Sequence, residues 1–186
     1  MNFAHEKQQF LKKPDKSLAQ GIDKAILKLC NIINKKPDYY TTSSCAGRIV
    51  LMPETGKKQE RIFSAVFHEK INFNDIKKSL PSYPKTPISY IKHEPCIMHV
   101  ACRTLENASR LVEAARNCGW KKSGIINIRN ERVMCELNSN EILATPIADK
   151  GKMIIPENYL KILVKEANKK LDMTRKKIKN LEKALK

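Results

Sequence analysis

The sequence predicts an α/β chain of the α+β kind, a mixed sheet with packed helices and a long C-terminal helix, and three observations predict it. Short runs rich in Ile, Val, Thr and Tyr recur between Tyr39 and Ile147, each bounded by turn residues. Helical stripes fall between groups of these runs and not after every one, unlike the strict alternation of a parallel doubly wound fold. The final segment, from Pro156 onward, repeats apolar residues in steps of three and four without a break. A length of 186 residues sets one domain, 1–186, as the expectation.

Residues 21–36 place Ile22, Ala25, Ile26, Leu29 and Ile33 on one helical face, and Pro37 ends it. Strands are predicted at 39–42, 48–52 and 62–67, so the Ser-Ser-Cys-Ala-Gly stretch becomes a loop and 54–57 a turn. A short helix capped by Asn74 follows, and Pro81, Pro84 and Pro87 then lead to strands at 88–92 and 96–101. Thr104 caps a further helix with Leu105, Ala108, Leu111, Val112 and Ala115 on one face, and Gly119 stands where a left-handed C-terminal cap belongs. Strands at 125–128, 132–137 and 142–147 precede the last helix, 157–186, about 45 Å long at 1.5 Å per residue. Its seam (Val164, Ala167, Leu171, Thr174, Ile178, Leu181, Leu185) packs either on the chain's own body, giving a monomer, or on a second copy in a homodimer. The lysines on its other faces are either solvated or follow an RNA backbone.

Lys and Arg total 36 against 19 Asp and Glu, a net charge of +17 spread from Lys12 to Lys186. Such a surface attracts polyanions. No apolar run approaches the ~20 residues of a membrane span. Residues 1–13 also lack the apolar centre of a signal peptide, so a cytoplasmic protein is expected. The six cysteines form no Cys-x-x-Cys pair and four lie in apolar runs, which predicts buried thiols in a reducing compartment and no metal site.

Three polar clusters could carry chemistry. In Thr42-Ser43-Ser44-Cys45-Ala46-Gly47-Arg48, hydroxyls and backbone N–H groups can meet an anion and Arg48 can grip a carboxylate or phosphate bidentately; the alternative is a Ser/Thr-rich turn. In the second, Glu94 and His99 bracket a strand, and with His68 they offer an acid, a base or core hydrogen-bonding groups. In the third, Trp120 stands beside Lys121, Lys122, Ser123 and Gly124, suited either to stacking a base or to plugging the end of the preceding helix. The six glycines are too scattered for a Rossmann loop, a Walker loop or a nucleophile elbow.

These clusters, in this order, resemble the tRNA wybutosine-synthesising protein 3 family, whose members carry a Ser-Ser-Cys-Ser/Ala-Gly-Arg motif. The likeness continues through Glu94-Pro95, Met98-His99-Val100, Cys102-Arg103, Gly119, Ser123-Gly124-Ile125 and Thr145-Pro146-Ile147 into the last helix. It implies an S-adenosylmethionine-dependent enzyme, not of the Rossmann type, that methylates N4 of 7-aminocarboxypropyl-demethylwyosine at position 37 in the anticodon loop of tRNA-Phe. Carried onto this sequence, it implies a donor site among Ser43, Ser44, Cys45, Gly47, Arg48, Ser123 and Gly124, and a catalytic group among Glu94, His99 and His68. Trp120, Tyr39 and Tyr40 are then expected to stack the tricyclic base, and Lys121, Lys122, Arg129, Arg132 and the last helix to meet phosphates. Neither DNA nor a membrane is an expected partner. Cys96 and Ala19-Gln20-Gly21 depart from the family pattern. Two other classes stand beside this one: a non-catalytic basic RNA-binding module, and an enzyme with Cys45 as nucleophile.

Overall fold

The computed structural model describes residues 2–12, 23–53, 63–79, 88–129 and 132–186. Along it run α1 (Phe3–Leu11), α2 (Lys24–Lys35), β1 (Tyr39–Cys45), β2 (Arg48–Pro53), β3 (Ala65–Phe67), α3 (Phe73–Ser79), β4 (Ile88–Glu94) and β5 (Ile97–Cys102). There follow α4 (Leu105–Asn117), β6 (Gly124–Arg129), β7 (Arg132–Asn138), β8 (Leu143–Asp149), β9 (Lys152–Met153) and α5 (Glu157–Ala184). The α+β class stands. Its strands form two sheets, ordered β1-β5-β7-β6 and β3-β2-β4-β8-β9, and every pairing is antiparallel. Gly21 and Ile22, the predicted turn at 54–57 and the prolines at 81, 84 and 87 lie outside the described residues.

The chain divides into two compact units. The first takes Met1–Ala46, Cys96–Asn140 and Thr174–Lys186, and holds the four-stranded sheet. Alternate residues of β5 and β7 (Met98, Val100 and Cys102; Val133, Cys135 and Leu137) point into one core, where α2 contributes Ile26, Leu29 and Ile33 and α4 contributes Ala108, Leu111 and Ala115. Ile178 and Leu181 of α5 complete it. On the sheet's opposite face α1 lays Phe3 and Phe10 against Tyr40, with ring centroids 5.4 and 5.5 Å apart, over Ala101 and Met134. Apolar periodicity does not reveal α1, because only Phe3 of its residues is buried.

The second unit, Gly47–Pro95 and Glu141–Met173, holds the five-stranded sheet. Ile49, Leu51, Ile91 and Ile147 of its strands pack on Leu160, Leu163, Val164, Ala167 and Leu171 of α5. The seam of α5 is therefore buried on the chain's own cores. Helix α3 starts earlier than predicted, since Asn72 and not Asn74 supplies the capping oxygen, accepting from the backbone N–H of Asn74 and Asp75 at 2.8 and 3.1 Å. At α4 the predicted cap is present: Thr104 Oγ1 accepts from Asn107 N at 3.1 Å, and Gly119 adopts φ +93° past the C-terminus.

Candidate active site

The expected loop at the motif is shorter than predicted. β1 continues through Ser43, Ser44 and Cys45, leaving only Ala46 and Gly47 as the turn into β2. The serines stay extended because β5 supplies a full antiparallel partner, Ser43 opposite His99 and Cys45 opposite Ile97. The turn is held from outside the motif. Asp23, just before α2, accepts the Ala46 N–H at 2.9 Å, and the Arg175 guanidinium of α5 donates to the Ala46 carbonyl. Neither residue stands out in the sequence, since nothing local ties them to the motif. Gly47 sits at φ +82°, in the left-handed region. Gly47→Ala is expected to destabilise the fold by about 1–2 kcal/mol, read as a lower urea midpoint at unchanged slope.

Within the first unit, a bulge in β1 sets the site. The register steps from Thr41 opposite Val100 to Ser43 opposite His99, so Thr42 is the extra residue and Ser43 takes the face that Tyr40 occupies earlier. His99 is in turn opposite Glu136 of β7. Three neighbouring strands thus present a hydroxyl, an imidazole and a carboxylate in a row, beyond the part of the face that α1 covers. Ser43 Oγ lies 2.8 Å from His99 Nδ1, and His99 Nε2 lies 3.1 Å from Glu136 Oε2. Ser43 is exposed, and the other two side chains are each 30% exposed, so the row is open to a substrate. Ser44 points the other way, toward α2, and its hydroxyl accepts from the Cys30 thiol at 3.5 Å.

Within the second unit, Arg48 opens β2 opposite Glu94, and Arg48 Nε donates to Glu94 Oε2 at 2.7 Å. Its guanidinium lies over the Phe63 ring, 4.6 Å from the centroid. His68, exposed, follows Phe67, which pairs with Ile49, so the register brings the end of β3 to the same end of β2 as Arg48. Glu94 is thus paired with Arg48, whereas His99 lies between Ser43 and Glu136.

Several expected site residues are buried or already engaged. Trp120 is fully buried and its Nε1 donates to the Lys177 carbonyl at 3.2 Å, so it plugs the end of α4 and cannot stack a base. Tyr40 is fully buried beneath α1. Tyr39 packs on the core with its hydroxyl donating to the Asn107 carbonyl at 3.2 Å. Ser123 is buried in a turn, donating to the Trp120 carbonyl at 2.7 Å and accepting from Asn138 N at 3.1 Å, which leaves it a structural hydroxyl and not a donor ligand. Gly124 pairs with Glu136 at the sheet edge. Arg132 is engaged by Glu6 and by the Tyr40 hydroxyl, away from the role expected of it toward phosphate. Lys121, Lys122 and Arg129 are exposed.

Two of the buried thiols are poor nucleophiles here. Burial pushes the Cys96 thiol well up, and a hydrogen bond with Cys135 followed by burial raises that of Cys102. Cys45 is half-buried opposite Ile97, and the histidine of that strand is bonded to Ser43.

Paired, oriented polar groups on open sheet faces are the equipment of an enzyme, and the comparisons give its class. Residues 5–186 match the family described as Methyltransferase TYW3, and the chain belongs to that family. It is 32% identical over 184 residues to the tRNA(Phe) 7-((3-amino-3-carboxypropyl)-4-demethylwyosine(37)-N(4))-methyltransferase of Thermococcus sibiricus, covering 97% of this chain and 93% of that one. To the tRNA wybutosine-synthesizing protein 3 homolog of Xenopus laevis it is 33% identical over 181 residues, covering 95% of this chain and 71% of that one. Among solved structures, the PH1069 protein from Pyrococcus horikoshii has the same fold, with a TM-score of 0.89 at 30% identity, over 100% of this chain and 96% of that one.

Proposed function

We propose that this chain transfers a methyl group from S-adenosylmethionine to N4 of 7-aminocarboxypropyl-demethylwyosine at position 37 of tRNA-Phe. The observation that carries the proposal is the built motif: a Ser-Ser-Cys-Ala-Gly-Arg segment clamped at its turn by Asp23 and Arg175, with Arg48 oriented by Glu94. Arg48 fits such a donor, because a guanidinium fixed through Nε keeps its Nη donors for a carboxylate. When bound, the sulfonium supplies an electrophilic methyl carbon. What falls to the chain itself is alignment and removal of the proton on the acceptor nitrogen. Arg48 holds the carboxylate of the donor's amino-acid part or of the aminocarboxypropyl group, and His99 takes the proton. Cys45 and Gly47 wall the turn.

Contacts to tRNA fall to Lys121, Lys122 and Arg129, and to the exposed lysines of α5 such as Lys165, Lys169, Lys176 and Lys183. A tRNA substrate places the work in the cytoplasm; among the described residues no helix is long and apolar enough to cross a membrane. We take the whole chain as one catalytic domain, because the backbone passes between the two units four times and the motif itself has residues in both. The seam of α5, buried on its own chain, favours a monomer over a homodimer through that helix.

Incubation with labelled S-adenosylmethionine and tRNA from a strain lacking the native activity, followed by nucleoside mass analysis, is expected to show one added methyl on the wyosine-type base. Heat on titrating the donor separates this from an RNA-binding module. No added methyl and no heat would leave the module or an enzyme with Cys45 as nucleophile, which alkylation of Cys45 separates.

A further inference from the structure

We propose that Ser43, His99 and Glu136 form a proton relay for the methyl transfer, in which Glu136 is the positioning residue that fixes the imidazole. The proposal rests on the methyltransferase function argued above, and Glu136 belongs to none of the motifs that carry the family likeness.

The geometry assigns each proton. An ionised carboxylate only accepts, so the 3.1 Å contact with Glu136 Oε2 requires the hydrogen to sit on His99 Nε2. In the neutral imidazole Nδ1 is then the lone-pair nitrogen, and across the 2.8 Å contact Ser43 is the donor to it. With its hydrogen turned toward the histidine, the exposed serine oxygen presents its lone pairs outward. The carboxylate is itself held, because Asn138 Nδ2 donates to Glu136 Oε1 at 3.3 Å. On the strand beyond, Gly124 is opposite Glu136, and nothing lies within 4 Å of where its Cβ would be. Gly124 itself sets no side chain beside the carboxylate.

In the reaction the acceptor's ring nitrogen gains the methyl carbon, and the sulfur keeps the electron pair of the broken carbon–sulfur bond. The N–H electron pair stays on nitrogen while its proton passes to Ser43 Oγ, and the serine's own proton passes to His99 Nδ1. An imidazolium then faces the Glu136 carboxylate, the pairing that favours this direction, and the proton leaves to solvent from the part-exposed ring. The order of groups matches that of a hydrolytic triad, with the serine passing a proton instead of attacking a carbonyl.

The test is Glu136→Gln, a near-isosteric change at a part-exposed position. In the donor-free protein, nitrogen-15 spectra of the wild type are expected to show neutral His99 protonated on Nε2 alone, and those of the variant a mixture of tautomers. The single-turnover methylation rate is expected to fall about 10- to 100-fold, with KM for donor and for tRNA within about twofold, and Glu136→Asp should recover part of the loss. An unchanged tautomer, an unchanged rate, or a loss carried wholly by KM would overturn the relay. A wild type that transfers no methyl would instead overturn the assigned reaction, and the tautomer measurement still decides the geometry.

Discussion

Arg48→Ala is expected to lower methylation at sub-saturating donor by about two orders of magnitude, mostly as a raised KM. A charge-assisted hydrogen bond to an ionised partner contributes about 1.5–3 kcal/mol, and the bidentate grip available to a guanidinium supplies two. The side chain is already oriented for such a grip, since Glu94 holds Nε at 2.7 Å and Phe63 supports the flat face at 4.6 Å. The folded state depends little on the same pair, whose side chains are 28% and 35% exposed, because solvent screens ion pairs of this kind to about 0–1 kcal/mol. Arg48→Lys should fall between, since an ammonium keeps the charge and loses the fork. The measurement is the initial rate against donor concentration, with a thermal melt alongside. A variant with wild-type KM and rate would remove Arg48 from the donor or substrate site.

Trp120→Ala is expected to destabilise the protein by about 3–5 kcal/mol. Trp120 is among the largest fully buried side chains, so truncation leaves a cavity in the first unit's core and removes the hydrogen bond its Nε1 gives the Lys177 carbonyl at 3.2 Å. Urea unfolding measures the loss. At a temperature where the variant remains folded, its affinity for tRNA should equal that of the wild type. A variant of unchanged stability that binds tRNA more weakly would restore the base-stacking role and refute the core one.

Tryptophan beside two lysines is a case where residue types misled. Lys121 and Lys122 are exposed as expected, yet Trp120 one position earlier is fully buried, because the turn after α4 directs it under α5. Tyr40 went the same way once α1, a helix with one buried residue, was placed over it. The row of Ser43, His99 and Glu136 was only partly legible. Ser43 and His99 stood out as polar groups in or beside strands, but Glu136 looked like any alternate residue of an amphipathic strand, and Asp23 like any polar residue of the predicted helix 21–36.

By itself the sequence determined the elements whose signal is local: the helices α2, α4 and α5 from their apolar steps, the Thr104 and Gly119 caps, most strands from alternation, and the motif as the polar centre. Only the tertiary structure decided what stands beside that motif. Ser43 meets a histidine 56 residues away, and that histidine a glutamate 37 residues further on, through a register set by one bulge at Thr42. The physical reason is that helix and strand periodicity is a property of neighbouring residues, whereas a cross-strand partner depends on pairing between distant segments, and a single extra residue in one strand changes which side chain faces it.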